Sequence, residues 1–122
     1  VVITNPEHFS IALSYDQSSE DAPRVVAKGK GFIAAKIREI ANDNKVYIFE
    51  APTLARAIYF TTEIGERIPA ALYMAVAQVI AYVYNLRQLT PELAKPKKPK
   101  PKVPRELTFD ERGQRTPAIS SS

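Results

Sequence analysis

Val1-Val2-Ile3-Thr4-Asn5-Pro6-Glu7-His8-Phe9-Ser10-Ile11-Ala12-Leu13-Ser14-Tyr15 opens the chain, and its patterning decides the fold. Residues 1–4 form a short apolar run of the kind that makes a buried strand. Asn5-Pro6 ends it, because proline has no N–H for a ladder and Asn-Pro favours a turn. Phe9, Ile11, Leu13 and Tyr15 then alternate with Ser10, Ala12 and Ser14, the period of a half-buried strand. The stretch therefore predicts a strand, a tight turn and a second strand.

Beyond a polar loop from Gln17 to Pro23, Arg24-Val25-Val26-Ala27 is a further short strand. From Gly31 the period changes: Ile33, Ile37, Ile40 and Ala41 fall on one stripe of an amphipathic helix that Asn42-Asp43-Asn44 ends. Val46 to Phe49 is rich in β-branched and aromatic residues and predicts a fourth strand. Pro52-Thr53 opens a second helix with Leu54, Ala57, Ile58 and Thr61 on one side and Gly65 placed to cap its C-terminus. Pro69 suits the first turn of a third helix, along which Leu72, Val76, Val79, Val83 and Leu86 recur at spacings of four and three. The fold class is α/β: a small mixed sheet of about four strands flanked by about three helices.

Ile68 to Leu86 carries no charge and is formally long enough to span a bilayer. It is rich in Ala and holds Gln78, Asn85 and three Tyr, so a helix packed against the sheet is the better reading.

Composition narrows the chemistry. The chain has 122 residues, enough for one small domain and a tail. With no Cys and a single His, thiolate chemistry, disulfides and His-based metal clusters are excluded. The chain begins without Met in an apolar run, which reads as a piece of a longer protein or a processed product, and no signal-peptide pattern is visible. Its net charge of +4 belongs to residues 90–122, since residues 1–89 carry nine Lys/Arg against nine Asp/Glu. No basic face for nucleic acid is indicated on the body. In residues 90–122, Lys95 to Pro104 alternates Lys and Pro, which predicts an extended polyproline-type segment without a core. The end, Gln114 to Ser122, reads as disordered. The organisation is thus a domain over 1–89 and a flexible Pro/Lys-rich tail over 90–122.

The Asn5-Pro6 pair has a chemistry beyond its turn. In ordinary asparagine deamidation, the following backbone nitrogen attacks the side-chain carbonyl; Pro6 has no N–H, so that route is closed. The remaining route has the Asn5 side-chain nitrogen attack the Asn5 main-chain carbonyl, with the Pro6 nitrogen leaving. It requires the turn to hold nitrogen and carbonyl carbon in near-attack geometry. An amide is a poor nucleophile, and Glu7 and His8 are the titratable groups within immediate reach for proton transfer.

At these residues the chain resembles the FlhB/YscU/SpaS/EscU family of type III export switch proteins, whose site is Asn-Pro-Thr-His. Ala22 to Gly29 is similar to the family's APxVVAKG segment, Ile37 to Ala41 to its IREIA helix, Glu50 to Tyr59 to its PPLARALY stretch, and Ile68 to Val83 to its final helix. The likeness runs over about residues 1–88 in order and spacing. It implies self-cleavage between Asn5 and Pro6, with Asn5, Pro6, Glu7 and His8 as the cleavage site and the leading strand staying paired. It also implies an N-terminal membrane domain outside this chain, which anchors this domain at the cytoplasmic face of the bacterial inner membrane. The implied role is a switch of export specificity from rod/hook to filament-type substrates. The implied partners are other export-gate components, a hook-length ruler protein, and export substrates with their chaperones; no metal, cofactor, nucleic acid or turnover activity is implied. An apolar surface pocket for an export signal would fall on Ala22, Pro23, Ala77 and Ile80, which composition alone would assign to loop and core packing. Glu7 departs from the family's threonine and adds a charge beside the scissile bond. Val103-Pro104-Arg105-Glu106-Leu107-Thr108-Phe109 resembles an element in the tails of flagellar members, which favours the flagellar over the injectisome branch.

Two readings of other classes stand beside this one. Gly29-Lys30-Gly31-Phe32-Ile33-Ala34 fits a dinucleotide-binding turn through Gly29 and Gly31, with Glu50 placed as a ribose-binding acid. The six Lys/Arg between Lys95 and Arg105 could bind acidic lipid or RNA, although such a run is more often a solvated linker.

Overall fold

The opening hairpin forms as its alternation requires. In the computed structural model, which describes residues 1–6, 8–16, 18, 21–88 and 95–116, β1 (Val2–Asn5) pairs antiparallel with β2 (Phe9–Ser14). Ile3 lies opposite Ile11 and Asn5 opposite Phe9. β3 (Arg24–Lys30) adds antiparallel to the other side of β2. The chain then crosses the sheet through α1 (Phe32–Asp43), and β4 (Ile48–Glu50) pairs parallel with β1. The order β3-β2-β1-β4 makes the sheet mixed and places β1 between two partners.

α2 (Pro52–Thr61) and α3 (Tyr73–Arg87, entered through a 3-10 turn at Ala70–Leu72) build the main core on one sheet face. Ile3, Phe9, Ile11 and Phe49 from the strands meet Leu54, Ile58, Leu72, Val76 and Val79 there, all essentially buried. Each such side chain contributes about 1.5–3 kcal/mol by leaving water. Tyr82 of α3 stands edge-on to Phe49, ring centroids 5.8 Å apart. Among the described residues no helix is long and apolar enough to cross a membrane, and the uncharged run around α3 is spent on this packing.

α1 covers the other face, and here the expected stripe is displaced. Ala34 and Ala41 are buried, whereas Ile33 and Ile40 are about half exposed. The first turn of the helix sits close against the sheet. Ser10 Oγ donates to the Ala34 carbonyl at 3.0 Å, and a Cβ on Gly29 would stand 2.6 Å from the Ile33 Cβ. Other boundaries also move. β3 runs on to Lys30, and β4 begins at Ile48. α2 stops at Thr61, so Gly65 does not cap it. With φ +93, Gly65 serves instead a turn that ties residues 63–68 to the start of β3, its N–H donating to the Val25 carbonyl at 2.7 Å. Pro69 is extended and precedes the 3-10 turn rather than occupying a helical first turn.

Residues 95–104 form no helix or strand, as the Lys/Pro alternation predicts. Lys98 Nζ lies 5.3 Å over the Phe49 ring. Composition does not foresee that residues 108–116 fold back onto the domain. Phe109 is buried and its ring centroid lies 5.6 Å from that of Phe60. Arg56 Nε donates to the Phe109 carbonyl at 2.7 Å. Thr116 N–H donates to the Thr108 carbonyl, and the Asp110 carboxylate accepts from the N–H groups of Arg112 and Gln114, closing a small hairpin. The domain boundary read at 89/90 and the terminal residues 117–122 lie outside the described residues.

Candidate functional site: the Asn5-Pro6 turn and an apolar cavity

β1 delivers Asn5 to the end of the sheet, and β2 begins four residues later, so residues 5–8 must reverse the chain. Pro6 pre-sets the backbone angle for such a turn. The His8 N–H donates to the Asn5 carbonyl at 3.0 Å, and the His8 carbonyl accepts from the Gly31 N–H at 2.9 Å. The turn is therefore pinned to the sheet and to the entrance of α1.

Two features of Asn5 matter chemically. Its carbonyl, the one a backbone break would use, already accepts a hydrogen bond that makes its carbon more electrophilic. Its side-chain Nδ2 is buried and has no hydrogen-bond partner among the described residues. A buried unpaired amide costs about 1–3 kcal/mol, and native structures rarely tolerate one without a reason. Here an unencumbered nitrogen belongs to the same residue as an activated carbonyl. Pro6 is half-buried beside them. The His8 side chain is about half exposed, with Nε2 3.1 Å from a carboxylate oxygen of Glu111. Glu7 lies outside the described residues.

The second predicted group also comes together. Ala22, Pro23, Ala77 and Ile80 line one open cavity of about 410 Å³. The loop that carries Ala22 and Pro23 is held by Ile68 N–H donating to the Pro23 carbonyl at 3.0 Å and by Arg67 Nε 2.7 Å from Asp21. α3 contributes Ala77 and Ile80 from one side, and the half-exposed rings of Tyr15, Tyr73 and Tyr84 stand around the opening.

The dinucleotide reading fails on topology. Gly29 lies within an antiparallel edge strand, and β4, which carries Glu50, is at the opposite edge of the sheet. A dinucleotide site needs neighbouring parallel strands there. The tight Gly29 contact with Ile33 explains the glycine by packing alone.

A family model described as the FlhB HrpN YscU SpaS Family matches residues 1–83. The chain belongs to this family. It is 53% identical over 88 residues to the flagellar biosynthetic protein FlhB of Salmonella typhimurium, covering 72% of this chain and 23% of that protein. The FlhB of Yersinia enterocolitica is 45% identical over 111 residues, covering 89% of this chain and 29% of that protein. The chain thus spans under a third of the length of these relatives. Among solved structures, the cytoplasmic domain of FlhB from Shewanella putrefaciens is similar with a TM-score of 0.75 and 42% identity, covering 88% of this chain and 85% of that one. A mutated EscU C-terminal domain is similar with a TM-score of 0.63 and 29% identity, covering 66% of this chain and 79% of that one.

The matched region, residues 1–83, includes the Asn5–His8 turn and Ala22, Pro23, Ala77 and Ile80 of the cavity. Phe109, Glu111 and the anchoring Arg56 were missed as a site in the sequence. The single signal was Phe109 within the flagellar-type tail element, and nothing local ties Glu111 to His8.

Proposed function

We propose that this chain is the cytoplasmic export-switch domain of a flagellar type III secretion apparatus and that it cleaves itself once, between Asn5 and Pro6. The observation that carries the cleavage is the buried, unpartnered Asn5 Nδ2 in a turn whose Asn5 carbonyl is already hydrogen-bonded by the His8 N–H. In the step, Nδ2 bonds to the Asn5 carbonyl carbon, closing a five-membered cyclic imide. The bond from that carbon to the Pro6 nitrogen breaks. One proton leaves Nδ2 and one arrives on the Pro6 nitrogen, which departs as a secondary amine; water then opens the imide. His8 and Glu7 tune the proton transfer. The domain turns over nothing afterwards and serves as a docking platform.

The cavity at Ala22, Pro23, Ala77 and Ile80 takes an apolar export signal of early, rod/hook-type substrates. Cleavage permits the change to filament-type substrates, in concert with a length-measuring ruler protein, other export-gate components and substrate chaperones. The full-length protein is anchored by an N-terminal membrane domain with this domain on the cytoplasmic side. The flagellar branch is supported by relatives named flagellar at 45–53% identity, against 29% for the EscU domain.

The test is a gel and intact mass of the full-length protein, wild type beside Asn5→Ala. The wild type gives a C-terminal fragment beginning at Pro6, and the variant gives none. A wild type that stays whole after long incubation at neutral pH overturns the reading.

A further inference from the structure

The docked tail puts a carboxylate on the one histidine of the chain. Glu111 Oε2 lies 3.1 Å from His8 Nε2. The contact is exposed, and an isolated exposed pair of flexible side chains contributes little. Here one partner is not free to wander. Glu111 sits in the Asp110–Gln114 turn, which the Asp110 carboxylate closes by accepting two backbone N–H groups. That turn is fastened to the domain by the buried Phe109 ring against Phe60 and by Arg56 on the Phe109 carbonyl. Gly113 lets the turn lie flat on Phe60, since a Cβ there would stand 2.7 Å from the Phe60 ring. The entropy of ordering Glu111 is thus largely met by the anchoring of Phe109.

An ionised carboxylate accepts hydrogen bonds and donates none. Among the neutral forms of the ring, the contact with Nε2 favours the tautomer that carries its proton on Nε2. In that tautomer Nδ1 is left as the acceptor. We propose that Glu111 is a positioning residue for His8: the tail hairpin fixes the tautomer and ring orientation in which His8 tunes proton transfer at the Asn5–Pro6 turn. The proposal rests on the self-cleavage reading, and it makes the tail part of the cleavage apparatus.

The test is single-turnover cleavage of the full chain, pulse-labelled by cell-free synthesis and followed by intact mass. Glu111→Gln and Phe109→Ala each slow the cut by about threefold to fivefold, the size an anchored exposed pair supplies. Combined, they slow it no further, because both remove the same contact. In a His8→Ala background Glu111→Gln has no effect. Imidazole ¹⁵N shifts give a readout that a merely structural role would not move, and a single His makes their assignment immediate. In the uncut Asn5→Ala chain they report the Nε2–H tautomer, and with Glu111→Gln or Phe109→Ala added they move toward a mixture. If the wild type cuts and Glu111→Gln cuts at the same rate, the role of Glu111 is refuted while self-cleavage stands. If the wild type does not cut, the cleavage reading fails and this proposal fails with it. Additive slowing by the two substitutions, or unchanged ¹⁵N shifts, also overturns it.

Discussion

Replacing Ile3 by Ala tests the claim that β1 is held by the sheet rather than by the covalent chain. Ile3 is fully buried at the middle of β1, opposite Ile11 on one side and Phe49 on the other. A central strand with a neighbour on each side has little room to collapse, so the loss falls in the upper part of the usual range, about 3–5 kcal/mol. In the uncut Asn5→Ala background this appears as a lowered urea midpoint, a large share of the roughly 5–15 kcal/mol a domain possesses. In the cut protein that the proposed cleavage would give, the same substitution acts on the retention of residues 1–5. At 1.4 kcal/mol per tenfold, the loss weakens their hold about a hundredfold to a few thousandfold. The assay is gel filtration of the cut chain followed by mass spectrometry, which shows whether the Val1–Asn5 piece travels with the remainder. It co-elutes in the wild type and is lost with Ile3→Ala. Ile40→Ala, about half exposed on α1, is the control and shifts stability by no more than about 0.5 kcal/mol. Equal retention of the piece in wild type and Ile3→Ala would refute the argument.

Gly29→Ala should destabilise the domain by about 1–3 kcal/mol, because the new methyl meets the Ile33 Cβ at 2.6 Å and α1 must move away; an unchanged urea midpoint would contradict the packing account. The tail hairpin should loosen in acid. The backbone N–H of Gln114, with that of Arg112, holds the Asp110 carboxyl below its ordinary range. Its contribution is therefore complete above the ordinary aspartate pKa and is lost as pH falls through the lower folded-state value. Nuclear Overhauser contacts between Phe109 and Phe60 should fade over that acid window in the wild type. Asp110→Asn, which cannot titrate, should leave them flat with pH.

The sequence revealed most where one physical rule governs. Phe9, Ile11 and Leu13 alternate because β2 has a core on one face, and all three are buried. Pro52 opens α2, since a missing N–H costs nothing there. The reading slipped where closeness of approach overrides hydrophobicity. Ile33 and Ile40 fit the buried stripe of α1 by spacing, yet Ala34 and Ala41 are the buried residues, and at Ala34 the backbone lies close enough for Ser10 to donate to its carbonyl. Asn5 and Pro6 were legible as chemistry because the two residues restrict each other's reactions within the chain. The orphaned state of Nδ2 was not legible, because it depends on which neighbours fail to reach it. Glu111 was hidden for a similar reason. A polar residue in the Asp110–Gln114 turn has no local pattern, and its position follows from where Phe109 finds a place beside Phe60.

The placing of β1 between an antiparallel and a parallel neighbour has a mechanical meaning. If the chain is cut after Asn5 as proposed, a pull along the strand axis loads both ladders in shear, so all rungs resist together. A sideways pull would open them one at a time, beginning at the short three-residue pairing with β4. A strand severed there would be a coupling that transmits axial tension and releases on peeling, so the direction of force, more than its size, would determine when the two pieces part.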